Sequence, residues 1–219
     1  GGQTGTGGSS PIIVTGLTNG VSYTFTVTAA NAAGTGSASS PSNTVIPSDV
    51  PDAPTIGTAT GGNGEAIVTF TPPVNNGGSA ITSYTVTSSV GGITATGGAS
   101  PIVITGLTNG TTYTFTVTAT NDVGTGSASA TSNSITPATT PGTPTIGTAT
   151  AGNGQATITF SAPVSNGGST ITSYTVTSSG GQTGTGGSSP ITVTGLTNGV
   201  SYTFTVTATN AAGTGSGSG

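Results

Sequence analysis

One sixteen-residue stretch, GLTNGTTYTFTVTATN at residues 106–121, constrains this chain more than any other. It returns at residues 16–31 as GLTNGVSYTFTVTAAN and at 195–210 as GLTNGVSYTFTVTATN. Its second half alternates strictly, with Tyr113, Phe115, Val117 and Ala119 on one side and Thr112, Thr114, Thr116, Thr118 and Thr120 on the other. A period of two predicts a strand with one face in a core and the other in water. The Leu-Thr-Asn-Gly ahead of it predicts a tight turn, because Asn and Gly tolerate the positive φ angles that a sharp corner needs.

The repetition extends to the whole chain. Tyr23, Tyr113 and Tyr202 lie 90 and 89 residues apart, TIGTAT recurs at 55–60 and 145–150, and ITSYTVTS recurs at 81–88 and 171–178. Residues 1–40 match 180–219 at all but four positions, whereas the middle copy reads VGGITAT at 90–96, which suggests two alternating domain types. Residues 1–47 hold only the later strands of a domain, near 12–15, 23–31 and 38–46, and half a sandwich cannot bury a core. A Pro-rich linker follows at 48–54, stiffened by the fixed φ of proline. A complete domain is expected at 53–137, with strands near 55–60, 66–71, 81–88, 93–96, 102–105, 111–121 and 127–136. A second linker at 138–143 leads to a domain at 144–219 that stops where its last strand should begin. Many short strands between Gly, Asn and Pro turns predict an all-β sandwich.

Composition closes off several functions. The chain has no Lys, Arg, His, Cys, Met or Trp, and its only acidic residues are Asp49, Asp52, Glu65 and Asp122. It therefore has no ordinary general base at neutral pH, no thiolate and no imidazole ligand, and reads as no enzyme and as needing no cofactor. Without Lys or Arg it is a poor partner for nucleic acid. No run approaches the ~20 apolar residues of a membrane span, and no membrane insertion is expected. Such charge poverty leaves two readings: a drifted repeat, or a surface that carries sugars on Ser and Thr or packs against copies of itself. We favour the second.

A Leu six residues before a Tyr (Leu17 and Tyr23, Leu107 and Tyr113, Leu196 and Tyr202) resembles the tyrosine corner of β-sandwich domains, in which the buried ring's hydroxyl bonds back to the turn. The complete unit also carries Asp52-Ala53-Pro54-Thr55, a second strand ending in Pro72-Pro73, Ile81-Thr82-Ser83-Tyr84-Thr85-Val86, and Ala119-Thr120-Asn121-Asp122-Val123-Gly124. Together these are similar to tandem fibronectin type III domains of the bacterial kind, over nearly the whole chain. The resemblance implies Ig-like β-sandwiches strung as beads. Phe70 and Phe160 stand where that family usually has Trp, and they fill the site with less area. The Arg-Gly-Asp cell-binding tripeptide is missing from the loop after Asn121, so integrin-type adhesion is not implied.

All ten aromatics occupy repeated core positions, among them Phe70, Tyr84, Phe160 and Tyr174, which leaves none in a loop to anchor a partner. No metal site is expected: Asp49, Asp52 and Asp122 could gather at the joint between the first and second units, with Asn75 and Asn76 completing an oxygen shell for Ca²⁺, but three solvated surface carboxylates is the reading we favour. The next joint has no acidic residue, so calcium cannot be a general requirement. The Thr rows invite an ice-ordering reading, against which stand the strand propensity of Thr and the twist of a sandwich. Asn109-Gly110-Thr111 matches an N-glycosylation sequon but is first of all the corner turn. The Gly-rich runs at 1–8 and 181–187 lack a following helix or a Lys and are not phosphate loops.

These features predict the repeat region of a long extracellular or cell-surface bacterial protein forming a stalk, fibre or filament, with copies of itself as partners. An adhesin module for a host or polysaccharide, or a spacer of a secreted carbohydrate-active enzyme, are the alternatives. A chain without Lys or Arg offers trypsin-like proteases no cleavage site, which suits life outside a cell.

Overall fold

The computed structural model describes residues 2–219. Fifteen strands follow in order. The first unit holds β1 (Ala30–Asn31) and β2 (Gly34–Thr35). The middle unit holds β3 (Thr55–Gly61), β4 (Glu65–Thr71), β5 (Ile81–Ser88), β6 (Thr94–Gly97), β7 (Ile102–Thr105) and β8 (Phe115–Asn121). The third holds β9 (Thr145–Gly152), β10 (Gln155–Ser161), β11 (Ser173–Ser178), β12 (Thr183–Gly186), β13 (Ile191–Thr194), β14 (Phe204–Asn210) and β15 (Gly213–Thr214).

The middle unit packs a β3-β4-β7 sheet against a β6-β5-β8 sheet, all neighbours antiparallel. Alternation decides what lies between them. Along β8, Phe115, Val117 and Ala119 are buried, as are Val68 and Phe70 on β4 and Tyr84 and Val86 on β5. Phe70 and Tyr84 meet across the sandwich with ring centroids 4.8 Å apart, and the Phe160–Tyr174 pair of the third unit repeats that distance. Each such ring buries a large apolar area, so a Phe in this position sustains the core without an indole.

The last segment of the middle unit departs from the expected regular strand at 127–136. Ser129, Ser132 and Ile135 donate their backbone N–H groups to the carbonyls of Val117, Phe115 and Tyr113. Three residues on one side thus answer two on the other, a repeated bulge that keeps its carbonyls from facing every N–H of β8. Serine side chains fill the gap. The Ser132 Oγ accepts from Phe115 N and the Ser129 Oγ from Val117 N, each at 3.0 Å. Ser42 and Ser39 do the same for Phe25 and Val27, and Ser218 for Val206. Removing the hydroxyl strands a buried N–H, which costs about 1–3 kcal/mol. Ser132→Ala should therefore speed hydrogen exchange at the Phe115 amide by that free energy, while Ser134→Ala, an exposed neighbour, should leave it within about 0.5 kcal/mol.

The first unit differs most from expectation. Residues 12–15 form no strand, and 23–31 is laddered only at its end. The bonds that do form run between 23–27 and 39–45, with Tyr23 bridging Val45. Strands have no internal hydrogen bonds, and among the described residues none pairs with 12–15, while Val27 is 60% exposed. In the third unit the two-residue β15 pairs with β14, and Ser218 still bonds to Val206.

Candidate functional site

Two features recur in every unit, a corner and a joint. At the corner, the Tyr113 hydroxyl accepts the Thr108 N–H at 3.0 Å, and Tyr23 and Tyr202 accept from Thr18 and Thr197 at 2.9 and 3.1 Å. Leu107 and Tyr113 are buried, whereas Leu17, Tyr23, Leu196 and Tyr202 are only half-buried. Asn109 ties the corner to the β3–β4 hairpin, its Oδ1 accepting from Gly64 N and its Nδ2 donating to Asn63 Oδ1, both at 2.8 Å. The same nitrogen that a sequon would glycosylate is thus already bonded.

The joint is built on this corner. Between the middle and third units, Gly110 N donates to Pro137 O, Thr139 N to Gly167 O and Gly142 N to Ser165 O, all at 2.8–2.9 Å. Between the first and middle units, Gly20 N donates to Pro47 O, Asp49 N to Gly77 O and Asp52 N to Asn75 O, at 2.8–3.0 Å. The two joints are the same construction. Each is held through the backbone, so Thr139 and Gly142 serve where Asp49 and Asp52 stand. Pro51, Pro137 and Pro144 are fully buried in it.

In the middle and third units one asparagine clamps the linker. Asn121 Nδ2 donates to Asp49 O at 2.7 Å and to Asn76 O at 2.9 Å, while its Oδ1 accepts from Val123 and Gly124. Asn210 Nδ2 donates to Thr139 O and Asn166 O, both at 2.8 Å. Asn121 and Asn210 are buried, and sequence reasoning gave neither a role as a clamp. The available signal was an Asn closing all three copies of the repeated strand, at 31, 121 and 210. Asn121→Ala leaves two linker and loop carbonyls without their donor, and faster exchange at the Asp49 and Asp52 amides is the expected result, with a loss of about 2 kcal/mol.

Glycines close the contact between units. The Asn109-Gly110 turn lies on Gly168 so tightly that a Cβ at 168 would come within 2.7 Å of the Asn109 carbonyl carbon. At the first joint, Asn19-Gly20 lies on Gly78, whose Cβ would sit 2.6 Å from the Asn19 carbonyl carbon. Gly78 and Gly168 also hold φ of 81° and 85°, where a side chain is disfavoured.

The acidic trio is not assembled at this joint. Among the described residues no three acidic side chains come together as a metal ion requires, and Asp49 turns its Oδ1 to Val50 N at 2.8 Å. Asn75 and Asn76 are likewise engaged, their side-chain oxygens accepting from Gly77 and Gly78.

Residues 52–135 and 140–219 each match the fibronectin type III domain. The chain belongs to the fibronectin type III family. Its two matched units are therefore all-β Ig-like sandwiches in tandem, a structural module. Among solved structures, the chain is similar to the FN1–FN3 domains of chicken CNTN1, at 21% identity and a TM-score of 0.40, over 94% of this chain and 75% of that one. It is similar to titin kinase and its flanking domains at 18% identity and a TM-score of 0.37, over 51% of this chain and 27% of that one. The twitchin kinase region from C. elegans follows at 22% identity and a TM-score of 0.37, over 46% of this chain and 21% of that one. No curated protein matches the chain.

Proposed function

We propose that this chain is the repeat region of a stalk or fibre outside a bacterial cell, in which fibronectin type III units are set end to end at a fixed angle and copies associate side by side through Thr- and Ser-rich faces. The observation that carries this reading is the joint, made twice with the same backbone bonds and the same glycine-on-glycine contact. A linker bonded at both ends and buried at its prolines has lost the freedom of a flexible tether. Repeated units joined this way extend reach while each contacts only its neighbours. The sparse charge, four acidic residues and no basic ones, leaves little repulsion between neighbouring copies.

Small-angle scattering of the dilute chain tests the stalk. A single elongated particle with a defined cross-section and maximum dimension is expected. A profile that fits only an ensemble of freely jointed units would remove the basis of the proposal.

A further inference from the structure

The outward face of the sheet that contains β5 and β8 is a grid of hydroxyls. Register sets Thr94, Thr87 and Thr116 in one row, Thr96, Thr85 and Thr118 in the next, and Ser83, Thr120 and Thr125 in a third. The third unit repeats it position by position, with Thr183, Thr177 and Thr205, then Thr185, Thr175 and Thr207, then Ser173, Thr209 and Thr214. Alternation along strands and direct pairing across them place these side chains about 4.8 Å apart between strands and about 6.7 Å apart along them. In the third row Thr120 bonds Thr125 and Thr209 bonds Thr214. The hydroxyls of the first two rows bond to no other described residue.

The opposite sheet offers no such face. Thr69 and Thr159 spend their hydroxyls on Thr58 and Thr148, and the middle unit presents exposed Ile67 and Val103 where the third presents Thr157 and Thr192. Glu65 also begins its central strand. Only the threonine grid is both uncharged and the same in the two units.

From this we infer that the grid is a contact surface for the grid of a second copy of the chain, which rests on the side-by-side reading above and names its face. A threonine hydroxyl is donor and acceptor at once, so a face of them is complementary to itself without any charge. Twist selects the partner. Sheets of the same hand pack face to face at about −30°, so a twisted grid fits its own copy and not a flat lattice such as ice. A polysaccharide would want stacking aromatics, and the rows of the grid hold only threonine and serine.

Size sets the strength. Three strands over about five residues make a patch of roughly 200–250 Å² per unit, far below the ~1,200 Å² total of a stable complex. One pair of grids is therefore weak, and association gains strength through the number of units engaged.

Sedimentation of the full chain from about 10 µM to about 1 mM tests the idea, with a weight-average mass that rises with concentration as the expected result. Lys introduced at both grid centres (Thr85→Lys with Thr175→Lys) should move the rise at least ~10-fold higher in concentration, since like charges then face each other. Ile67→Lys with Thr157→Lys, on the other sheet, should leave it in place. Should the grid variant lose its fold, Thr85→Cys replaces it: the chain has no other thiol, and mild oxidation must yield a dimer cross-linked at that position. A wild-type chain that stays monomeric to about 1 mM overturns the proposal, as does association that ignores Lys at the grid or forms no Thr85→Cys cross-link. The scattering dimension of the dilute monomer is read separately, so the stalk can stand when the grid falls.

Discussion

Phe115→Ala should all but unfold the middle unit, lowering the free energy of its opening by about 3–5 kcal/mol. Phe115 is 1% exposed at the centre of the sandwich, with Val117 and Ala119 beside it on β8 and Tyr113 next to it at the corner. A domain of this size holds only about 5–15 kcal/mol in all. Phe204 and Phe25 occupy the same place in the same motif and supply the comparison. Phe204 is half-buried at the margin of its core, whereas in the middle unit Ile135 packs against the core that holds Phe115. Its truncation should cost less than that of Phe115. Phe25 belongs to no buried cluster, and Phe25→Ala should change exchange by no more than about 0.5 kcal/mol. Hydrogen exchange resolved by peptide measures all three in one chain. Equal losses at 25 and 115 would overturn the difference in packing between the two sites.

Gly168→Ala should open the joint between the middle and third units. The added methyl meets backbone, the Gly110 nitrogen and the Asn109 carbonyl carbon, and neither can swing aside as the end of a side chain would. Ordinary contact needs about 3.5 Å, so the turn must retreat by ~1 Å or the units must tilt. Scattering should show a changed maximum dimension and a broader ensemble. The positive φ at 168 adds about 1–2 kcal/mol of local strain of its own, and Gly199→Ala isolates that part. Gly199 holds φ of 82° with nothing within 4 Å of a Cβ, so its variant should lose stability but keep the particle's shape. Identical scattering from the two variants would show that the contact does not set the angle between units.

Much of the fold was legible in the sequence. β5 and β7 begin and end where alternation and turn residues place them, at Ile81–Ser88 and Ile102–Thr105. The inward residues were legible for the same reason, since a period of two leaves no choice once one face is apolar. The joint was much less so. Asp49, Asp52 and Asp122 drew attention because charge is rare in this chain, yet the joint runs on backbone groups that any residue carries. Its specific parts, the Asn121 amide and the bare Cα of Gly168, gain meaning only from what lies against them across 45 or more residues of chain. The segment 127–136 misled in another way. Its serines look like the outward residues of a strand, and only the partner β8 shows them turned inward as acceptors.

Residues 1–40 and 180–219 draw the line between the two kinds of information. They differ at four positions, and the sequence alone determines the same turns, the same Tyr-to-turn hydrogen bond and the same preference for extended chain in both. In the third unit that sequence makes β12, β13 and β14, paired with β11 and β10. In the first it makes a two-residue ladder and leaves Val27 in water, while its counterpart Val206 is fully buried. Tertiary structure decided that difference, because a strand satisfies its backbone and hides its apolar face only against other strands.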